Sequence, residues 1–190
     1  YKLGAWYHDG SFADQRFDKS GRSLADPAST GIPATHPNDF GLYGVVDQMI
    51  WRKPETADQG LGVFLRVAGS PADRNVVDLY ADGGINYKGL LPGRDADIVG
   101  LAIAYAHVSG DASALDRDIR SFTGANHPVH DYELAVELTY KAQVTPWWTV
   151  QPDFQMIFHP SGHGPDPTDL TGTRPIRDAV ILGVRTSVAF

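Results

Sequence analysis

Residues Asp131 to Val144 read DYELAVELTYKAQV, and this segment decides the fold. Its even-numbered positions, from Tyr132 to Val144, are apolar or aromatic, whereas the odd-numbered positions, from Glu133 to Gln143, are mostly polar or charged. A helix would scatter the two sets around its axis, but a strand places each set on its own face. The period of two therefore predicts a β-strand with one apolar face and one polar face.

The same alternation recurs along the chain, separated by segments rich in Gly, Pro, Asp and Asn that are typical of turns. It predicts an all-β fold of eight antiparallel strands near residues 1–9, 43–53, 60–69, 75–88, 96–109, 130–144, 147–159 and 176–190. In residues 43–53, the face that carries Val45, Met49 and Trp51 also carries Asp47. We expect a β-bulge there to shift the register.

The composition restricts the class of protein. The 190 residues are 42% hydrophobic and 21% charged, with a net charge of -7, which excludes a disordered chain and a nucleic-acid binder with a basic patch. The absence of cysteine rules out disulfides, cysteine zinc sites and thiol nucleophiles. No stretch approaches the roughly 18 to 20 apolar residues of a membrane-spanning helix. Residues 1–7 lack a signal-peptide pattern, so we expect either a removed leader or a fragment.

The predicted connections differ in length in an ordered way. Long loops at residues 10–42, 110–128 and 160–175 alternate with short turns at 54–59, 89–95 and Thr145-Pro146, and only residues 69–74 break the rule. Long loops at one end and short turns at the other are typical of outer-membrane barrels. A soluble sandwich has no reason to sort its loops in this way.

Alternation alone also fits a soluble sandwich or a lipocalin-like barrel, whose apolar face turns inward. Three features favour a membrane barrel: aromatic residues near strand ends, a terminal strand that closes on Phe190, and charges of both signs on the polar faces. We therefore predict an antiparallel transmembrane β-barrel of a Gram-negative outer membrane. The residues expected to face lipid are Tyr132, Leu134, Val136, Leu138, Tyr140, Val150, Phe154, Met156, Val184 and Val188.

Four segments resemble the carbohydrate-selective porins of the OprB family. They are residues 43–49 (YGVVDQM), 62–75 (GVFLRVAGSPADRN), 87–94 (YKGLLPGR) and 144–153 (VTPWWTVQPD), and the resemblance fails only in the long loops. It implies that residues 1–190 are the C-terminal half of one sixteen-stranded barrel domain whose first half is absent. Sixteen strands leave an aqueous channel, whereas side chains would fill a closed barrel of eight.

The resemblance also implies a function without catalysis. A porin of this family would allow passive diffusion of monosaccharides such as glucose, and of other small polar solutes, with no cofactor and no metal. The partners implied are sugars, outer-membrane lipid and lipopolysaccharide, and not nucleic acid. The C-terminus would lie on the periplasmic side, and the assembly would be a monomer or a homotrimer.

A wall that selects sugars needs hydrogen-bonding groups of both signs and an aromatic face on which a pyranose can rest. The candidates on the polar faces are Trp6, Arg66, Asp78, Asp82, Glu133, Glu137, Lys141, Gln151, Asp153 and Arg185. The alternative for each is a wall residue paired with a cross-strand neighbour.

Other functions rest on weaker signals. Residues 159–163 read HPSGH, which suggests a metal pair or a Ser/His couple of an outer-membrane hydrolase, but no third group is fixed by spacing, so a surface loop is preferred. His127 and His130 are interpreted in the same way. Asp166 and Asp169 suggest calcium, yet the following residues do not fit an EF-hand, and we expect a solvated loop. A closed eight-stranded barrel that binds a partner through its long loops is the third class.

Overall fold

The computed structural model describes all 190 residues and forms one antiparallel sheet of eight strands in the order β1 to β8. The strands are β1 Lys2–Asp18, β2 Pro33–Arg52, β3 Gly60–Gly69, β4 Val77–Lys88, β5 Ile98–Val108, β6 Tyr132–Thr145, β7 Trp148–Phe158 and β8 Ala179–Val188. Two helices, α1 Gly110–Thr123 and the single turn α2 Pro160–His163, lie in connections. No helix is long and apolar enough to cross a membrane. The predicted antiparallel all-β fold is confirmed.

The sheet is open, because β1 and β8 each pair with one neighbour only. This arrangement does not fit the closed eight-stranded barrel that the partner-binding alternative requires. Eight strands that curve as part of a larger barrel would instead leave both edges ready to pair with further strands.

The sheet has almost no hydrophobic core. Among 17 buried residues only Val108 and Ala114 are hydrophobic, whereas Leu138 is 50% exposed and Val184 is 73% exposed. A soluble sandwich would bury such residues against a second sheet. An apolar face of this extent marks a surface that a membrane or another protein covers.

The strand registers separate the two faces along the whole sheet. Leu134 pairs with Tyr105 and Phe158, and Leu138 pairs with Leu101 and Phe154, so one face is apolar from β5 to β7. All ten residues predicted to face lipid lie on this apolar face. The opposite face, here called the polar face, carries the odd-numbered residues of β6.

The predicted bulge in β2 is confirmed by a register shift between Met49 and Trp51. Before the shift, Asp47 pairs with Phe64 on the polar face. After it, Trp51 pairs with Leu61 on the apolar face, where its ring lies 5.9 Å from the ring of Tyr87. One extra residue thus moves a large aromatic side chain from one face to the other.

The first two strands are longer than predicted. Residues 10–18 and 33–42, expected to lie in one long loop, extend β1 and β2 beyond residues 1–9 and 43–53. This extension of the β1–β2 hairpin is rich in polar residues, and its pairing has two register shifts. For both reasons it does not show the regular apolar alternation of a membrane strand. Asp14 organises it by accepting from the backbone N–H of Arg16 and of Phe17, at 2.8 and 2.6 Å, and by pairing with His36 at 2.8 Å.

The prediction of a loop over residues 110–128 was also wrong, because residues 110–123 form α1. Ser109 caps its N-terminus by accepting from the N–H of Ala112 at 3.2 Å, and Gly124 ends it in a left-handed conformation with φ 68°. Both are typical capping signals. The β-type alternation on either side masked them.

Connections at residues 19–32, 70–76, 109–131 and 159–178 lie at one end of the sheet, here called the long-loop end. Those at 53–59, 89–97 and 146–147 lie at the short-turn end. At the long-loop end α1 reaches back to β1, and the Arg16 guanidinium donates to both oxygens of Asp118 at 2.8 and 3.1 Å. A helix that follows β5 is thereby tied to the opposite edge strand.

Candidate pore lining

The predicted lining residues lie on the polar face, with one exception. The strand registers place nine of the ten candidates at positions that point to the polar face. These are Trp6 on β1, Arg66 on β3, Asp82 on β4, Glu133, Glu137 and Lys141 on β6, Gln151 and Asp153 on β7, and Arg185 on β8. Asp78 departs from this pattern because it lies in a bulge between Val77 and Leu79. Its carboxylate lies 2.7 Å from Nδ1 of His107, whose ladder partner Leu79 belongs to the apolar face.

Arg66 and Asp82 form an ion pair on the polar face. They are direct cross-strand partners, and Nε of Arg66 donates to both carboxylate oxygens at 3.0 and 2.9 Å while Nη2 approaches within 2.7 Å. Asp82 is only 6% exposed, whereas the side chain of Arg66 is 59% exposed. Asp82 therefore anchors the guanidinium, whose outer edge stays free to donate to a solute.

A second polar group lies on β6 and β7. The side-chain amide of Gln155 donates to Glu137 at 2.9 Å and approaches Asp153 at 3.5 Å. Gln155 is the cross-strand partner of Glu137, and Asp153 is the partner of Thr139. The sequence interpretation did not include Gln155, although its polar-face position follows from the alternation of β7.

Small side chains separate the two groups. Ala102, Ala104 and Ala135 form the floor of a depression of about 170 Å³, with Arg66 and Asp82 on one side and Glu137 on the other. Phe64 and Tyr80 also line it. The depression is thus a shallow recess on the polar face with hydrogen-bonding groups of both charges at its margins and an aromatic wall.

Trp6 lies on the polar face over a glycine. A Cβ atom built on its cross-strand partner Gly41 would lie 2.5 Å from Nε1 of Trp6, so only glycine leaves room for the indole. The indole lies against Gly41 and keeps an exposed surface, with Trp6 42% exposed. This geometry suits an aromatic platform for a sugar ring.

The remaining candidates are spread along the strands. Gln151 and Arg185 are cross-strand partners, and Lys141 pairs with Ile98 toward the short-turn end. Glu133, expected at a strand centre, is the second residue of β6, and its carboxylate accepts from the N–H of Ser161 at 2.6 Å. Glu133 therefore stabilises the β7–β8 connection at the long-loop end.

Asp169, one of the two loop carboxylates considered for calcium, has partners within its own loop. Asp169 accepts from the backbone N–H groups of Thr171, Thr173 and Arg174 at 3.2, 3.0 and 2.9 Å, and from the Thr171 hydroxyl at 2.8 Å. The Thr171 hydroxyl and these backbone donors hold the pKa of Asp169 well below its usual value. The carboxylate, which is 6% exposed, is saturated by loop donors and serves to shape the loop, whereas the sequence predicted a solvated loop.

His127 and His130 are not simply solvated. His127 Nε2 and His130 Nδ1 lie 3.1 and 2.7 Å from the two oxygens of Asp116, and the N–H of His130 donates to the same carboxylate at 2.8 Å. Burial works against ionisation of Asp116, but its hydrogen bonds with His130 and His127 hold its pKa below the usual value. The hydrogen bond with Asp116 also raises the pKa of His130. The three residues dock α1 onto the start of β6.

The segment HPSGH gains a third group in the structure. Nδ1 of His159 lies 2.9 Å from one oxygen of Asp131, and Nδ1 of His163 lies 3.6 Å from the other. Ser161 is exposed, and its hydroxyl bonds to neither histidine, so no nucleophile and base couple is formed. The hydrolase alternative therefore lacks its site.

Comparisons with known proteins agree with this geometry. Porin B of Pseudomonas aeruginosa is 29% identical over 204 residues, a match that covers 100% of this chain and 41% of that protein. The solved high-pH structure of OprB from Pseudomonas putida superposes with a TM-score of 0.86 at 26% identity, covering 99% of this chain and 44% of that one. The chain thus spans about two fifths of the length of these relatives.

A family model described as "Carbohydrate-selective porin, OprB family" matches residues 1–190, the whole chain. The matching family is one of porins and not of enzymes. The match of eight strands to under half of a known porin also supports the half-barrel prediction. The open sheet, its exposed apolar face and these matches together show that the chain belongs to the carbohydrate-selective porin family OprB.

Proposed function

We propose that this chain, completed by further strands, lines a water-filled pore for passive diffusion of monosaccharides such as glucose and of other small polar solutes. The observation that carries the proposal is the recess between Arg66–Asp82 and Glu137–Gln155 on the polar face. Its margins present donors and acceptors at the centre of the sheet, where a solute crossing the barrel would pass.

The chemistry of the recess matches a sugar better than an ion. A pyranose is neutral, and each hydroxyl both donates and accepts, so it satisfies a guanidinium and a carboxylate at once. Because Arg66 already pairs with Asp82, that part of the wall has no net charge to hold an ion. Weak, distributed hydrogen bonds admit a solute without trapping it.

The placement proposed is a Gram-negative outer membrane, with this chain as the C-terminal half of a sixteen-stranded barrel. The long-loop end faces the outside and contacts lipopolysaccharide, and the short turns and the C-terminus face the periplasm. The apolar face contacts lipid. The size of the complete porin in detergent distinguishes a monomer from a homotrimer.

Replacing Glu137 by Gln in the complete porin should shift the ion preference toward anions. Glu137 carries a formal charge in a narrow lumen, and removing it changes the local potential. Glucose flux should change less, because the amide of Gln keeps an acceptor and adds a donor. The measurements are the reversal potential of a planar bilayer in a salt gradient and the swelling of proteoliposomes with glucose.

Replacing Trp6 by Ala should have the reverse effect. If the indole covers about 40 Å² of apolar sugar surface, its loss removes about 1 kcal/mol of retention, roughly a fivefold weaker block of ion current by glucose. The reversal potential should stay as in the wild type, because no charge changes. The two variants act as controls for each other, and if both leave both readings unchanged, selectivity belongs to the remaining strands.

A further inference from the structure

Two histidines and an aspartate converge at the long-loop end, apart from the recess. His159 and His163 belong to the β7–β8 connection, and Asp131 precedes β6. The imidazole rings stack with centroids 4.2 Å apart, and both Nδ1 atoms point to the Asp131 carboxylate. The three ligand atoms lie within 4.8 Å of one another.

The backbone holds this cluster in an unusual conformation. His159, Ser161 and His163 have positive φ values of 51°, 58° and 65°, which are unfavourable for residues with a side chain. Gly162 shares this conformation at φ 69°, and a Cβ on it would lie 2.5 Å from Cγ2 of Val108. Strained residues of this kind persist where surrounding contacts over-determine them, and they cluster at ligand sites.

The two segments are also joined through their backbones. The N–H of Asp131 donates to the carbonyl of Gly162 at 2.9 Å, and the N–H of His159 donates to Asp178 at 3.0 Å. The ring of His159 packs against Tyr132, with centroids 4.5 Å apart. The ligand-bearing residues are therefore positioned before any ligand arrives.

We propose that Asp131, His159 and His163 bind a divalent transition-metal ion of the zinc type. Two imidazole nitrogens and one carboxylate oxygen are a common zinc donor set, with a fourth tetrahedral position left for water. Tetrahedral bonds of 2.0 to 2.1 Å place ligand atoms roughly 3.3 Å apart. The side chains are partly exposed, so rotations about their χ angles bring the donors from their present separations to that distance.

The other histidine pair is a weaker candidate. Asp116 is 5% exposed, and its carboxylate already accepts from the N–H of His130 as well as from both rings. Asp131 also accepts from a backbone N–H, that of Tyr132 at 2.6 Å, but its side chain is 40% exposed and its carboxylate faces two stacked rings. A bound ion would fasten the β7–β8 connection to β6 and so stiffen the long-loop end, independently of sugar selectivity.

The test is isothermal titration of the complete, tag-free porin in detergent with ZnCl₂. The wild type should bind one equivalent, and His163→Ala and Asp131→Asn should each weaken binding at least tenfold. Substitution with Co²⁺ should give the visible absorption of a tetrahedral site, which vanishes in the same variants. Heat-induced changes in electrophoretic mobility confirm that each variant is folded.

His127→Asn is the matched control, because it removes a histidine of the Asp116 group at the same end of the sheet. It should bind Zn²⁺ as the wild type does. Absence of binding by the wild type would overturn the proposal. So would binding that survives in both site variants, or binding that is lost only in His127→Asn.

Discussion

Arginine in place of Val136 should destabilise the barrel by about 2 to 4 kcal/mol. Val136 pairs with Ile103 and Met156 on the apolar face, and it lies midway along β6 between Tyr132 and Tyr140. If these two aromatic residues mark the membrane interfaces, Val136 is near the bilayer midplane. A guanidinium there points into hydrocarbon, and its cross-strand neighbours Ile103 and Met156 offer it no polar partner. Urea titration of the complete porin refolded in lipid vesicles measures the change.

Ala135→Arg is the matched control. Ala135 lies next to Val136 at the same depth but on the polar face, where it pairs with Ala104 and Ile157. An arginine there reaches water, so stability should change by less than about 1 kcal/mol. The same variant should narrow the recess and lower glucose flux. If Val136→Arg and Ala135→Arg lower the free energy of unfolding by the same amount, the assignment of the two faces is wrong.

The faces could be predicted from the sequence because both depend on one local rule. Side chains alternate along a strand, so the even residues of Tyr132 to Val144 share a face whatever the rest of the chain does. The bulge in β2 was predictable for the same reason, since Asp47 among apolar residues breaks the pattern. The bulge at Asp78 leaves no such break in the sequence pattern. The alternation therefore placed Asp78 on the polar face, which is wrong.

The long-loop end was less predictable, because its structure depends on polar hydrogen bonds and not on alternation. The extension of β1 is held by Asp14, and α1 is held by its caps and by Asp116. The caps of α1, Ser109 and Gly124, are capping residue types, but the alternation on either side masked them. The role of Asp116 was not visible, because its partners His127 and His130 lie beyond the helix.

The convergence of Asp131 with the two histidines follows from register once β6 and β7 are paired. Leu134 pairs with Phe158, and continuing this antiparallel register by three residues places Asp131 opposite Ser161, between His159 and His163. Spacing along the sequence conceals this relation. Cross-strand groups such as Gln155 with Glu137 are concealed in the same way until the register is known.

Removal of the Asp116 carboxylate should release α1 from the start of β6. Asp116 is buried and forms hydrogen bonds with both His127 and His130. Because Asp116→Ala removes one partner of a buried charged group, it should lower the free energy of local unfolding of α1 by about 3 kcal/mol. The strands below should keep their stability, because none of these residues belongs to them. Amide hydrogen exchange measured by mass spectrometry should therefore show faster exchange in residues 110–131 alone.

The protection of residues 110–131 against hydrogen exchange should depend on pH in a direction that the two pKa shifts define. The pKa of Asp116 is lowered by folding, so its contribution is complete above its unfolded value near 4 and is lost as the pH falls through the folded pKa. The pKa of His130 is raised, so its contribution is complete below about 6.5 and is lost as the pH rises through the folded pKa. Protection of residues 110–131, corrected for intrinsic exchange, should be greatest between about pH 4 and 6.5. His130→Gln should remove the loss of protection at higher pH and keep the loss of protection in acid. If the protection of the wild type stays constant from pH 3 to 9, the pairs of Asp116 with the two histidines do not hold α1 in place.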